Sequence, residues 1–479
     1  MPPSRATGAG PGYAEAERLW QADRATEAEA ILRELVARDP HREDAPLLLA
    51  TIERDSGRFG AAASTLFDAC RRQGFPVDFT LRAAQFLQRC QRPGLAADAC
   101  EAALAGGAGG PELHAVAGNM RLECGAFAAA RTHYLAALDG GIDLERWFVL
   151  AALARTQRYD DAEHPDFARF RGHVESDGAS PRARAATLFG LAKASDDVGD
   201  VVAAVAALRK GNALVRGIVP WSPSVWDQSV RARQQERPSA LPASDGFAPV
   251  FVVGLPRSGT TLTASLLARR TGARDRGELR TFGYVANTLI AGRHLADSGA
   301  LSEGARLYRA HAVQDDAPAV AYIDQDPLNF RWLHLVTAMF PGARIVHCMR
   351  ARRDVVLSLW SQDFAHPDEA FAFDFPSIVG FAEGHDRLLR HWHRTLRTPI
   401  ETVHYESLVA DPDGVIGELA HRLGLPESPA SQAPDAPIES ASLWQARQPV
   451  YTTSVGRWRR YLPFVPELAA GFDDPPARA

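Results

Sequence analysis

At 479 residues the chain is long enough for two or three domains with buried cores. A composition 46% hydrophobic and 23% charged excludes wholesale disorder, and a net charge of −5 gives no support to nucleic-acid binding. Five cysteines without CxxC spacing and no apolar run near the ~20 residues of a membrane span argue against a disulfide framework, a zinc site and a membrane-spanning helix, and a cytoplasmic protein is expected.

Residues 1–10 and 471–479 read as disordered tails, rich in Pro, Gly and Ala. Residues 11–216 read as an all-α repeat domain. The turns before each second helix align at Ala25, Phe59, Leu95, Phe127 and Tyr159, a step of about 34 residues. Pro40, Pro76 and Pro111 fall between the units, where helices must stop. A final pair, Ala183–Asp197 and Asp200–Val215, closes the array. The period and the alanines at helix crossings resemble tetratricopeptide repeats, a solenoid whose concave face commonly binds peptides or proteins. Binding of a peptide or protein partner and a purely capping or dimerising use both remain open.

Residues 217–246 read as an interdomain connection, with Trp221 and Trp226 packing the two domains together. Residues 247–470 alternate strands (Val250–Val253, Val320–Asp324, Arg344–Met349, Ile400–Tyr405) with helices (Thr260–Arg269, Asn329–Phe340, Asp354–Phe364, Gly414–Leu423). Such alternation predicts an α/β doubly wound parallel sheet with its ligand at the carboxyl ends of the strands.

Within this half, Gly254-Leu255-Pro256-Arg257-Ser258-Gly259-Thr260-Thr261 joins the first strand to a helix with Walker A spacing, G-x-x-x-x-G. The two glycines allow a tight turn, and the helix start offers unpaired N–H groups to an anion. Thr260-Thr261 stands where Lys-Ser/Thr would be, so Arg257 supplies the positive charge. That substitution, and the lack of an assignable magnesium-binding aspartate, disfavour a kinase. Arg350 follows the strand Arg344–Met349, with Ser358 eight residues on. A guanidinium fork and a hydroxyl suit a phosphate.

GLPRSGTTL resembles the 5′-phosphosulfate loop of sulfotransferases that use 3′-phosphoadenosine 5′-phosphosulfate (PAPS), and the whole chain resembles bacterial tetratricopeptide-linked sulfotransferases with a tyrosylprotein sulfotransferase-like domain. The resemblance implies PAPS as co-substrate and no metal, with Arg257, Ser258, Gly259, Thr260 and Thr261 on the 5′-phosphosulfate. It also implies Arg350 and Ser358 on the 3′-phosphate. Gly277-Glu278-Leu279-Arg280 resembles a segment whose glutamate is the general base, which makes Glu278 and Arg257 the candidate catalytic residues.

The motif Gln445 to Tyr451 followed by Ser454-Val455-Gly456-Arg457 resembles a closing loop that brings Gly456 and Arg457 to the 3′-phosphate. One position departs from the family: Asp324-Gln325-Asp326-Pro327 carries Gln325 where the family has lysine. Losing a cationic stabiliser typically costs about 10²–10³ in rate, so a nucleotide-binding scaffold with weakened turnover is the alternative expectation. Asn329 and Phe330 read as helix-start and core residues, His404-Tyr405-Glu406 as structural, and His347 as a core histidine.

Overall fold

In a computed structural model the chain forms two compact units, residues 1–142 with 313–317, and residues 143–312 with 318–479. The structure describes residues 11–242, 246–364, 366–427 and 452–469. The expected tails and the motif Gln445–Tyr451 lie outside the described residues.

The first unit is helical. Eight helices follow one another: Pro11–Gln21, Ala25–Arg38, Asp44–Asp55, Phe59–Arg72, Val77–Arg89, Pro93–Ala105, Pro111–Glu123 and Phe127–Asp139. Each packs on the next. Small residues let them approach closely: Ala16, Ala28 and Ala45 lie with Leu32 and Ile52 in one cluster, and Ala62, Ala69 and Ala83 with Phe59, Leu66 and Phe79 in the next. The periodic positions Ala25, Phe59 and Phe127 each open a helix. Tyr159, the fifth, does not. It is buried in irregular chain of the second unit, its hydroxyl donating to Asp166 at 2.9 Å. The helices Pro181–Asp197 and Val201–Ile218, read from sequence as the end of the repeat domain, belong to the unit that carries the sheet.

The second unit holds a five-stranded parallel sheet: β1 (Val250–Gly254), β2 (Arg274–Asp275), β3 (Tyr322–Asp324), β4 (Arg344–Met349) and β5 (Ile400–His404), in the order β2-β3-β1-β4-β5. Two residues are too few for a hydrophobic pattern, which hides β2 from a sequence reading. β1 is buried along its whole length, as a central strand covered on both faces must be. Val250 and Val252 face Ala264 and Leu267 of the helix Thr260–Thr271 and Ile416 and Leu419 of Pro412–Arg422. On the opposite face Phe251 stacks on Tyr308 (5.5 Å between ring centroids) and meets Phe282 edge-on. That two-residue alternation pins the register. The chain leaves β1 toward β2 and β3 on one side and returns to β4 on the other, which opens a crevice beyond the end of β1.

The expected connection contains a 13-residue helix, Pro223–Gln235, packed on the long helix Phe375–Thr395 of the same unit. Trp226 stacks on Phe381 at 4.6 Å and donates its indole N–H to the Gly380 carbonyl at 3.2 Å. It therefore anchors a helix within one unit instead of joining two domains.

Candidate active site

The loop Gly254–Gly259 leaves the end of β1 and turns into the helix Thr260–Thr271. A Cβ on Gly254 would lie 2.6 Å from both the Cys348 carbonyl oxygen and Ser258 Oγ. Gly259 has φ 103°, and a Cβ there would lie 2.5 Å from the Tyr405 ring. Arg257 takes φ 74° without being glycine, a conformation that costs energy and that surrounding contacts must impose. Two are visible. Its Nε donates to Ser358 Oγ at 2.9 Å, and its carbonyl accepts from Arg350 Nη1 at 3.2 Å.

Arg257, Arg350 and Ser358, far apart in sequence, are thus brought together. Arg350 lies 4.4 Å above the Tyr405 ring and donates through Nη2 to the Ser454 carbonyl at 2.9 Å. The β4–β5 register sets Met349 beside His404, which carries Tyr405 alongside Arg350. The Tyr405 ring forms one wall of the loop and one face of Arg350. Tyr405 OH and Ser454 Oγ, 2.8 Å apart, tie that wall to the C-terminal segment. Glu406 is structural, accepting the Ala351 N–H at 2.9 Å.

Polar atoms here lack partners. Ser258, Thr260 and Thr261 are buried, and Ser258 Oγ and Arg350 Nε have no hydrogen-bond partner. The first turn of Thr260–Thr271 leaves further N–H groups without intrahelical acceptors. Buried donors left open beside two guanidinium groups fit a bound anion such as a phosphate or phosphosulfate.

Glu278 sits in the loop after β2. The Gln325 N–H donates to the Gly277 carbonyl at 2.9 Å, which ties that loop to the end of β3. Asp324 holds it from below: Oδ1 accepts from Leu279 N (3.2 Å) and Asp326 N (3.0 Å), Oδ2 from Tyr308 OH and Asn329 Nδ2 (3.1 Å each). Burial, then Asp326, push the Asp324 carboxyl well above its usual range, and the donors oppose them. Arg280 Nη2 approaches Glu278 Oε2 at 3.4 Å. Gln325 is buried, its Oε1 without a partner. Asn329 and Phe330 lie in the 3₁₀ turn Pro327–Trp332, Phe330 wholly in the core.

Arg457 does not join the loop. Its Nη2 donates to Asp196 at 2.8 Å and to Tyr461 OH at 3.2 Å, and Arg460 and Tyr461 converge on the same carboxylate. A carboxylate more than two hundred residues away captures the arginine, and nothing near Arg457 in the sequence announces it. Gly456 is held through its N–H on Asp354 at 2.6 Å, with Trp458 N on the other oxygen at 3.1 Å. Asp354, on the helix Arg352–Trp360 that carries Ser358, was not expected to have this part. His347 is buried against His385, ring centroids 5.2 Å apart, with Nε2 lacking a partner.

Among the described residues no group of three or more His, Cys, Asp or Glu is placed to hold a metal, and no helix is long and apolar enough to cross a membrane.

Comparison with known proteins places residues 249–429 in a match to the Sulfotransferase family. An uncharacterized protein of Aquifex aeolicus (strain VF5) is 31% identical over 247 residues, 47% of this chain and 32% of that protein. The chain therefore spans about a third of that relative's length. The sulfotransferase domain from the Synechococcus PCC 7002 olefin synthase is similar at 18% identity and a TM-score of 0.33, over 47% of this chain and 90% of that one.

Proposed function

Starting from a sulfotransferase-family domain at residues 249–429, we propose that this protein transfers a sulfuryl group from PAPS to a hydroxyl or amine. One observation carries the reading: Arg257, Ser258, Arg350 and Ser358 converge beyond β1 with Ser258 Oγ and Arg350 Nε unpartnered. When bound, PAPS supplies an already activated sulfuryl group. Residues 257–261 hold the 5′ side through loop donors and the helix start. Arg350 and Ser358 hold the 3′-phosphate, with the Tyr405 ring packed against the Arg350 guanidinium. Arg457 would reach that phosphate only by leaving Asp196, so it is given no part. Glu278 takes the acceptor's proton, its loop fixed by Asp324. The helical repeats of the first unit are proposed to hold a peptide or protein partner.

The test is calorimetric binding of 3′-phosphoadenosine 5′-phosphate against ADP and ATP, with wild type and Arg350→Ala. Preference for the 3′-phosphorylated nucleotide, reduced at least about tenfold in the variant, is expected for a lost charge-assisted contact. Indifference to the 3′-phosphate, or preference for ATP, would overturn the reading.

A second reading, a nucleotide-binding domain with weakened turnover, is favoured by Gln325, a buried neutral side chain at the position where the resemblance implies a lysine. Sulfuryl transfer rising about 10²-fold or more in Gln325→Lys supports it. Ready transfer by wild type with no gain in the variant rejects it.

A further inference from the structure

We infer that Glu369 is a positioning residue for Glu278, acting through Arg280, the guanidinium that the two carboxylates share. Arg280 Nη2 lies 3.4 Å from Glu278 Oε2 and 3.7 Å from Glu369 Oε1. Glu369 stands on the 3₁₀ turn Pro367–Phe373, only 7% exposed, and its Oε2 has no hydrogen-bond partner. A buried carboxyl with one oxygen unsatisfied carries a cost that calls for an explanation.

The groups around it are largely committed. Arg331 donates to Asp368 at 2.8 Å, and Asp326 accepts the Leu328 N–H at 3.0 Å. His366 Nδ1 is 3.9 Å from Glu369 Oε2. Arg280 lies beside both glutamates, and Asp326 draws on the same guanidinium. Burial pushes the Glu369 carboxyl up to about 7, with Arg280 and Arg331 opposing and Asp326 and Asp368 reinforcing.

The consequence follows from charge alone. With Glu369 protonated, Arg280 leans on Glu278 and favours its ionised form. With Glu369 ionised, the guanidinium is divided and a second negative charge is added nearby. Both effects make Glu278 hold a proton more strongly. The value of this coupling to catalysis rests on the reading of Glu278 as the base.

The experiment is a pH titration of the full chain labelled with ¹³C at the glutamate side-chain carboxyl, followed by NMR. Glu278→Gln and Glu369→Gln identify the two signals. In wild type the Glu278 signal should inflect a second time at the midpoint of Glu369. In Glu369→Gln that inflection should vanish, while the main Glu278 midpoint stays, because a glutamate titrating in the ordinary carboxylate range does so with Glu369 still protonated. A Glu278 curve with no second inflection in wild type, or one that keeps it in Glu369→Gln, overturns the inference. If Glu369→Gln does not fold, Arg280→Gln replaces it: the Glu278 midpoint should rise by about one pH unit, and no rise overturns the inference. Because titration needs no turnover, coupling without sulfuryl transfer would sink the base assignment while leaving the shared guanidinium standing.

Discussion

Gly259 shows how one atom can decide a site. Its φ of 103° excludes an easy L side chain, and the space a Cβ would need is taken by the Tyr405 ring at 2.5 Å. Gly259→Ala meets both penalties, strain and overpacking, each on the order of 1–3 kcal/mol. Relief requires Tyr405 to move, and Tyr405 carries the face of Arg350. The variant should unfold at lower denaturant, by about 2 kcal/mol, and bind 3′-phosphoadenosine 5′-phosphate at least about tenfold more weakly. Equilibrium unfolding and calorimetry check the two parts. Wild-type affinity in the folded variant would mean that the ring–arginine contact is not needed for binding. The requirement for glycine was legible in the loop spacing, but its cause was not. Spacing reports which backbone turns are allowed, while the ring that fills the space arrives through the β4–β5 register.

At the scale of elements, local pattern found what local forces make. The run Arg344–Met349 is a strand because successive buried side chains dictate it, and the helix Thr260–Thr271 follows from its glycine-bounded start. The expectation failed where a distant group completes an element, as with Asp196 and Arg457, or where a helix lies in Pro- and Ser-rich chain, as with Pro223–Gln235. The helix Phe59–Arg72 is a third instance. Its N-cap residue, Arg58, makes no side-chain cap bond. Asp315, 255 residues from Gly60, accepts the Gly60 and Ala61 N–H groups at 2.7 and 2.8 Å. Both residues belong to the first compact unit. A carboxylate on a helix start satisfies orphan donors and opposes the dipole. Asp315→Ala should lower the stability of that unit by about 1 kcal/mol, read by urea unfolding, and Asp315→Asn should also lose stability, because its amide offers one oxygen to two N–H donors. Wild-type stability in both variants would show that Asp315 does not cap this helix.

For the whole molecule, buried titratable groups pull stability in opposite directions as pH changes. His347 is held well below the usual histidine range by burial and then by His385, so the folded chain keeps it neutral. The unfolded chain protonates it below about pH 6.5. Its contribution is therefore complete above that pH and is lost as pH falls. Glu369 is the reverse. Raised to about 7 from an ordinary 4.5, it binds a proton in the folded chain that the unfolded chain has released. Its contribution is complete below about pH 4.5 and is lost as pH rises toward 7. Replacing each group exposes its slope. Relative to wild type, His347→Phe should gain stability as pH drops from about 6.5 to 5, at up to about 1.4 kcal/mol per pH unit. Glu369→Gln should gain as pH climbs from about 5 to 7, with the same limiting slope. Unfolding curves of both variants at pH 5, 6 and 7 (on the order of the window set by these groups) give the two differences directly. Parallel lines instead of opposed ones would mean that at least one group keeps its unfolded-state proton affinity inside the fold. For Glu369 that result would also remove the ionisation near neutrality through which Arg280 is divided between the two glutamates.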